Sequence, residues 1–282
     1  MNIITGEKIQ NMCDFYIGQD IDFKFNPYIR NQVNKHIDID NNNSISNIRK
    51  LSINNIFCYT HILDYYFNKL FTLLTNISTQ FNIFFHNSDV NFQQKYLKLF
   101  EIKNLNKIYT QNIDINPNDK VIPLPIGIAN SMWKHGNLNI WDKIFNEIDL
   151  NLKEHFIYFN FNVNTNKIKR QKCFNVILDK NIENLPNKDY FNYLKLLANY
   201  KYAICPEGNG IDTHRFHECL YLKVIPICIR NYLTEYYSKY YPIVLLDDWK
   251  ELDVLVLKHF YTSVNWNNYD LLCFNNFKNY FI

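Results

Sequence analysis

The feature that most constrains this chain is a repeated alternation of short apolar runs with longer amphipathic stretches. Apolar runs at 56–59, 81–85, 107–110 and 121–124 bracket amphipathic stretches at 61–74 and 89–99. The pattern restarts with runs at 155–161, 201–205, 224–229 and 243–246, and helical stretches at 189–199, 213–222 and 249–259. Strands buried on both faces read as continuous apolar runs, and parallel neighbours need a crossover of helix length. The chain is therefore expected to be α/β, with parallel sheets covered by helices. A helix over 141–152 places a lobe boundary near residue 152, and 266–282 reads as a closing helix that packs across both lobes. The first fifty residues are less regular, with a strand over 13–17 and a polar stretch over 38–46.

Length and composition fit this reading: 282 residues, 47% hydrophobic and 20% charged, suit two α/β lobes or one large one. A net charge of +3 with dispersed basic residues gives no nucleic-acid footprint. The seven cysteines lack any CxxC pair, which suggests neither a disulfide framework nor a zinc site and fits a reducing compartment. Neither a signal-type apolar region nor a membrane-spanning run is present in the sequence, so a cytoplasmic protein is expected.

Only six glycines occur, and four of them fall in two short loops. The first loop joins an expected strand to an expected helix: Pro206, Glu207, Gly208, Asn209, Gly210, Ile211, Asp212, Thr213, His214, Arg215. Ligands of open α/β sheets bind at that edge. Gly208 and Gly210 allow close backbone approach, Asp212 or Thr213 can cap the helix, and a helix start favours an anion such as diphosphate. Arg215 adds a planar cationic fork. Glu218, one turn on, can accept hydrogen bonds from a ribose diol, or can simply pair with Arg215.

The second loop, 123–136, holds Asn130, Trp133 and His135; Trp133 and His135 can stack on and hydrogen-bond a sugar, or plug an interface. After the run 81–85, His86 or Asp89 can serve as a general base, while capping a helix is the simpler job for Ser88 or Asp89. Asn162 lies in an Asn-rich strand end that leads to a cationic segment. Within it, Arg170 can reach a diphosphate from the side opposite Arg215, or the segment is simply an exposed basic helix start. Asp20-x-Asp22 and Asp38-x-Asp40 imitate a DxD metal site, but Asp38 is read as opening a polar tract rather than closing a buried strand, so no metal is expected.

The stretch 201–249, with PEGNGIDTHRFHECLYLKVIPI and VLLDDW, resembles exostosin-like glycosyltransferases, of the kind encoded by large DNA viruses. YTHILDYYF, FFHNSD, IYTQN, LPIGIANSMWKHG and YFNFNVNT resemble the same family in the same order, over roughly residues 55–258. The resemblance implies a GT-B fold, with two Rossmann-like lobes facing a cleft: an acceptor-side lobe over 1–152, a nucleotide-sugar lobe over 153–262, and a helix over 263–282 returning to the first lobe. It implies transfer from a nucleoside-diphosphate sugar, UDP favoured, to a glycan or protein hydroxyl, with inversion and without a metal or other cofactor. Arg215 and Arg170 then face the diphosphate, Glu218 the ribose or base, and the 208–212 loop the donor. The base is expected from the first lobe, with Asp89 ranked before His86 and His61. Phe216-His217-Glu218-Cys219 and Lys223 depart from the family pattern, which usually has an aromatic or hydroxyl residue then Glu-Ala, and Gly at the last position. Those departures bear on donor preference. A fucosyltransferase-like enzyme using a GDP-sugar, and an inactive nucleotide-sugar-binding protein, are the alternative readings.

Overall fold

A computed structural model describes residues 1–24, 36–41 and 53–282. It contains two compact units, Thr5–Ile126 and a second made of Met1–Ile4 with Gly127–Ile282. The polar stretch expected over 38–46 lies mostly outside the described residues.

The first unit carries a parallel sheet of strands β1 (Phe15–Gly18), β2 (His36–Asp38), β3 (Asn55–Tyr59), β4 (Phe81–His86), β5 (Leu105–Thr110) and β6 (Val121–Pro123). Their order is β2-β1-β3-β4-β5-β6. The winding direction reverses between β1 and β3, which leaves a crevice at the carboxyl ends of these two strands. The central strands are apolar on both faces: Ile56, Phe57, Cys58, Ile83, Phe84 and Phe85 are all fully buried. Phe84 stacks on Tyr109 with ring centroids 4.5 Å apart. Each such ring contributes roughly 1.5–3 kcal/mol through removal from water.

The amphipathic stretch 61–74 forms two helices, Ile62–Tyr65 and Phe67–Thr75. The helix expected from Asp89 is instead a bend followed by a 3-10 helix, Gln94–Glu101. Ser88 Oγ accepts from Val90 N at 3.3 Å, and this local turn competes with helix initiation. Asp38 closes β2 and is followed by the fully buried Ile39, so the reading of Asp38 as merely opening a polar tract is corrected.

The second unit carries β7 (His155–Tyr158), β8 (Tyr200–Ile204), β9 (Ile225–Ile229) and β10 (Val244–Leu246), parallel in the order β10-β9-β8-β7. Tyr202, Ile204, Ile225 and Ile227 form a core with Cys173, Ile177 and Leu257. These last three come from helices α1 (Lys167–Asp179) and α5 (Val254–Thr262), labelled in the order α1, α2 (Tyr190–Ala198), α3 (His214–Tyr221), α4 (Tyr232–Ser238) and α5 within this unit. The units divide between Ile126 and Gly127, whereas the sequence reading puts the boundary near 152. Helix Leu138–Glu147 belongs with the second unit because Trp141 donates to Tyr190 Oη at 3.2 Å and packs edge-on against Tyr221. The closing stretch is a 3-10 turn, Tyr269–Leu272, and a helix, Phe274–Phe281, whose Phe281 packs against Tyr236 and Tyr240 of the same unit.

Met1–Ile4 joins the second unit through backbone. Ile3 bridges Cys273, Ile4 N donates to Tyr221 Oη at 2.8 Å, and Ile128 N donates to Ile4 O at 2.9 Å. Gly127 has φ +64, and a Cβ there would lie 2.3 Å from Ile4 O, so no other residue fits without displacing backbone. Among the described residues, no helix is long and apolar enough to cross a membrane.

Candidate functional site

The carboxyl ends of β7 and β8 hold most of the residues singled out in the sequence. Beyond β7 the chain runs through Asn160 and Asn162; beyond β8 it runs through Pro206 to Thr213 and enters α3. Thr213 is the cap, its hydroxyl accepting from Phe216 N at 3.4 Å. Asp212 does a different job: its carboxylate accepts from buried His217 Nε2 at 2.8 Å and ties the loop to the underside of the helix. Gly208 N donates to Gly210 O at 3.1 Å, and Asn166 Nδ2 donates to Gly208 O at 2.8 Å, which closes the loop on the start of α1.

Two guanidinium groups converge on the segment beyond β7, Arg170 at Asn162 O and Arg215 at Asn160 O. Arg170 donates from Nε to Glu207 O and from Nη1 to Asn162 O, both at 2.8 Å. A Cβ on Gly208 would stand 3.4 Å from Arg170 Nη2, so the glycine lets this fork lie against the loop. Arg215 donates from Nη1 to Asn160 O at 2.6 Å and lies over the adjoining rings of Tyr193 and Tyr158, 4.8 and 5.3 Å from their centroids. Among the described residues Arg170 bonds only backbone carbonyls, so no protein carboxylate neutralises it directly. Burial, then repulsion from Arg215, pushes its pKa below the ordinary value. Burial also works against the Arg215 charge, but Tyr193, Glu218 and Tyr158 outweigh it and hold that pKa above the ordinary value.

Glu218 is almost wholly buried. It accepts from Tyr190 Oη at 2.9 Å and Tyr193 Oη at 2.6 Å, with Arg215 Nε 3.9 Å away. A chain Trp141 to Tyr190 to Glu218 to Arg215 to Asn160 thus crosses the unit, and Glu218 orients Arg215 while facing two phenols. Both phenols stay protonated, burial above all raising their pKa values. Sequence reasoning quoted Tyr158 and Asn160 but missed Tyr190 and Tyr193. Their spacing, three apart at the start of an Asp189-capped helix, was the available signal.

The 130–136 loop adjoins this network. His135 lies 6.0 Å from both Tyr190 and His214, and Trp133 stacks on His135 at 6.2 Å while remaining 55% exposed. His214 Nδ1 donates to Gly127 O at 2.8 Å. Burial, then the His214 charge, lowers the His135 pKa. A Cβ on Gly136 would come within 2.0 Å of Asn130 O, so Asn130 shapes the loop through its backbone.

Next to Glu207, whose carbonyl holds Arg170, the ends of β8, β9 and β10 form an open cavity of about 200 Å³ lined by Pro206, Ile229 and Trp249. Its rim is charged in pairs, Lys169 with Glu207 and Lys172 with Asp248 at 2.5 Å.

The three candidate bases lie in the first unit. His86 is buried at the end of β4, with Nδ1 against Asn87 Oδ1 at 3.0 Å and Nε2 against Pro125 O at 3.1 Å, so both nitrogens face protein partners. Asp89 is exposed in the following bend. His61, beyond β3, lies 3.2 Å from the Asp22 carboxylate. Among the described residues, no group of three or more His, Cys, Asp and Glu side chains is arranged to hold a metal ion. Compared with known proteins, the chain matches no protein-family model and no curated sequence.

Proposed function

We propose that this chain is a glycosyltransferase of GT-B architecture, which moves a sugar from a nucleoside-diphosphate sugar to an acceptor hydroxyl with inversion and without a metal. The observation that carries this reading is the pair Arg170 and Arg215, two guanidiniums held on the backbone carbonyls of Asn162 and Asn160, of which Arg170 has no carboxylate partner. Holding two like charges together is unfavourable until an anion arrives, and a diphosphate offers oxygens to both forks. In glycosyl transfer the same cations offset the charge that builds on the departing diphosphate. The cavity of about 200 Å³ supports a nucleoside at its side. Exposed Trp133 beside His135 offers a face for the sugar.

The experiment is a thermal-shift and nucleotide-release screen of UDP- and GDP-sugars, with and without EDTA, on the wild type and Arg170→Met. One selective UDP-sugar, turned over in EDTA and unbound by Arg170→Met, is the expected result. Selection of a GDP-sugar would move the reading to a fucosyltransferase-like enzyme. Binding without release would make the chain a nucleotide-sugar-binding protein, and no binding at all would sink the proposal.

A further inference from the structure

Three cysteines of the second unit that the donor chemistry does not use meet beneath the loop 206–213. Cys205 follows β8 directly, Cys219 lies in α3, and Cys228 lies in β9. Cys205 Sγ and Cys219 Sγ are 3.7 Å apart, and both residues are buried. Cys228 stands on the neighbouring strand, where Ile204 pairs with Ile227 and Cys205 N donates to Ile227 O at 2.9 Å. A cavity of about 10 Å³, room for about one water, is lined by Cys205 and Cys228 together with Glu207, Asp212 and Thr213 of the loop. It gives a small oxidant a route to the Cys205 sulfur.

Burial opposes charge on Cys205, but the Cys219 and Cys228 thiols and then Arg215 favour the thiolate, and its pKa falls well below the ordinary thiol value. Burial above all raises the pKa values of Cys219 and Cys228, so these two keep their protons. A thiolate in contact with a thiol is the pairing that peroxide converts to a disulfide. Cys219 also lies one turn past Arg215 on α3 and next to Glu218 in sequence. A bond from Cys219 to Cys205 therefore pulls on the turn of helix that carries both.

We propose that Cys205 and Cys219 are a peroxide-sensitive modification site, whose disulfide disables the anion site at Arg215. The Cys205 thiolate attacks one oxygen of hydrogen peroxide; the O–O bond breaks, and the other oxygen leaves as hydroxide, which solvent protonates to water. The Cys219 sulfur then attacks the sulfenic acid at Cys205. The S–O bond breaks, and its oxygen leaves with the Cys219 proton as a second water. Two thiols are thus oxidised and one peroxide is reduced. The loss of UDP binding rests on the glycosyl-transfer reading above, whereas the thiol chemistry does not.

Cys273, the one cysteine of the seven that is not buried, serves as the benchmark. Reduced protein is titrated with hydrogen peroxide, and disulfides are mapped by mass spectrometry after digestion without reductant. A Cys205–Cys219 cross-link is expected, with loss of two hydrogens, at peroxide doses no higher than those that oxidise Cys273. UDP affinity measured by calorimetry is expected to fall at least about tenfold on oxidation, the value of one charge-assisted hydrogen bond, and to return with dithiothreitol. Cys219→Ser is expected to form no such cross-link and to carry a dimedone-reactive sulfenic acid at Cys205, while Cys228→Ala still forms the bridge. Cys205 and Cys219 thiols that stay reduced while Cys273 is oxidised overturn the proposal. So does a bridge to Cys228 instead, or a Cys205–Cys219 bridge that leaves UDP affinity unchanged. If the reduced protein binds no UDP, the glycosyl-transfer reading and the switch fall together, and the mass map alone decides the modification site.

Discussion

Lys153 offers a quantitative test of how the second unit is held together. It precedes β7, and its ammonium donates to Ala198 O at 2.6 Å and Leu222 O at 2.7 Å, at the ends of α2 and α3. Two helix C-termini thus point carbonyls at one cation. Burial nevertheless pushes the lysine pKa from 10.5 down to about 7. In the unfolded chain the same group keeps its proton to about 10.4, so between these values the unfolded state binds one more proton and stability rises with pH. At about 1.4 kcal/mol per pH unit once past the folded pKa, the gain from pH 7 to pH 8.5 is about 1.5 kcal/mol. Stopping at pH 8.5 avoids the phenols, whose raised pKa values act in the opposite sense above about pH 10. We expect urea unfolding free energies of the wild type to rise by that amount, and those of Lys153→Met to lack the rise. Thiols titrating only in the unfolded state affect both proteins equally and cancel in the difference. Parallel pH profiles in the two proteins would refute the reasoning and leave the ammonium fully charged in its carbonyl cradle.

Other outcomes follow from the site. Arg215→Ala leaves Glu218 buried against two phenols without its cation, and a loss of about 3–5 kcal/mol in urea unfolding is expected. Arg170→Met removes bonds only to backbone carbonyls, so its melting temperature should move by a few degrees at most, while UDP affinity measured by calorimetry falls at least about tenfold. Gly136→Ala drives a methyl group into Asn130 O, and its thermal midpoint should fall by more than that of a surface Ala substitution, with a cost of about 1–3 kcal/mol.

The parts of the fold legible in the sequence are those whose strands are covered on both faces. Residues 56–59, 81–85, 201–205 and 224–229 read as strands because nearly every position in them is buried. Helix α1 shows in the sequence only as a basic helix start: it buries Cys173 and Ile177 while leaving Ile168 and Leu178 exposed, so its apolar residues mark no single face. Strand β2 is three residues long and too short to show a period. At the site, the glycines and Thr213 announced a strand-loop-helix ligand edge, and local chemistry sufficed for that. The enclosure of Glu218 by Tyr190 and Tyr193, and the meeting of Asp22 with His61, depend on tertiary packing that no local pattern encodes.

The first four residues complete a unit whose other residues begin only at Gly127. Tyr221 Oη accepts from Ile4 N and donates to Leu272 O, and Phe274 N donates to Asn2 O at 2.7 Å, so Asn2 and Ile4 find partners far along the sequence. During synthesis the bonds of Asn2 O and Ile4 N must therefore wait for Phe274 and Tyr221, while Thr5–Ile126 already has the strands of its own sheet. No single cut divides the chain into two whole units. A fragment starting at Gly127 lacks the strand partner of Cys273 and the donor to Tyr221, and would have to be supplied with the N-terminal peptide to regain them.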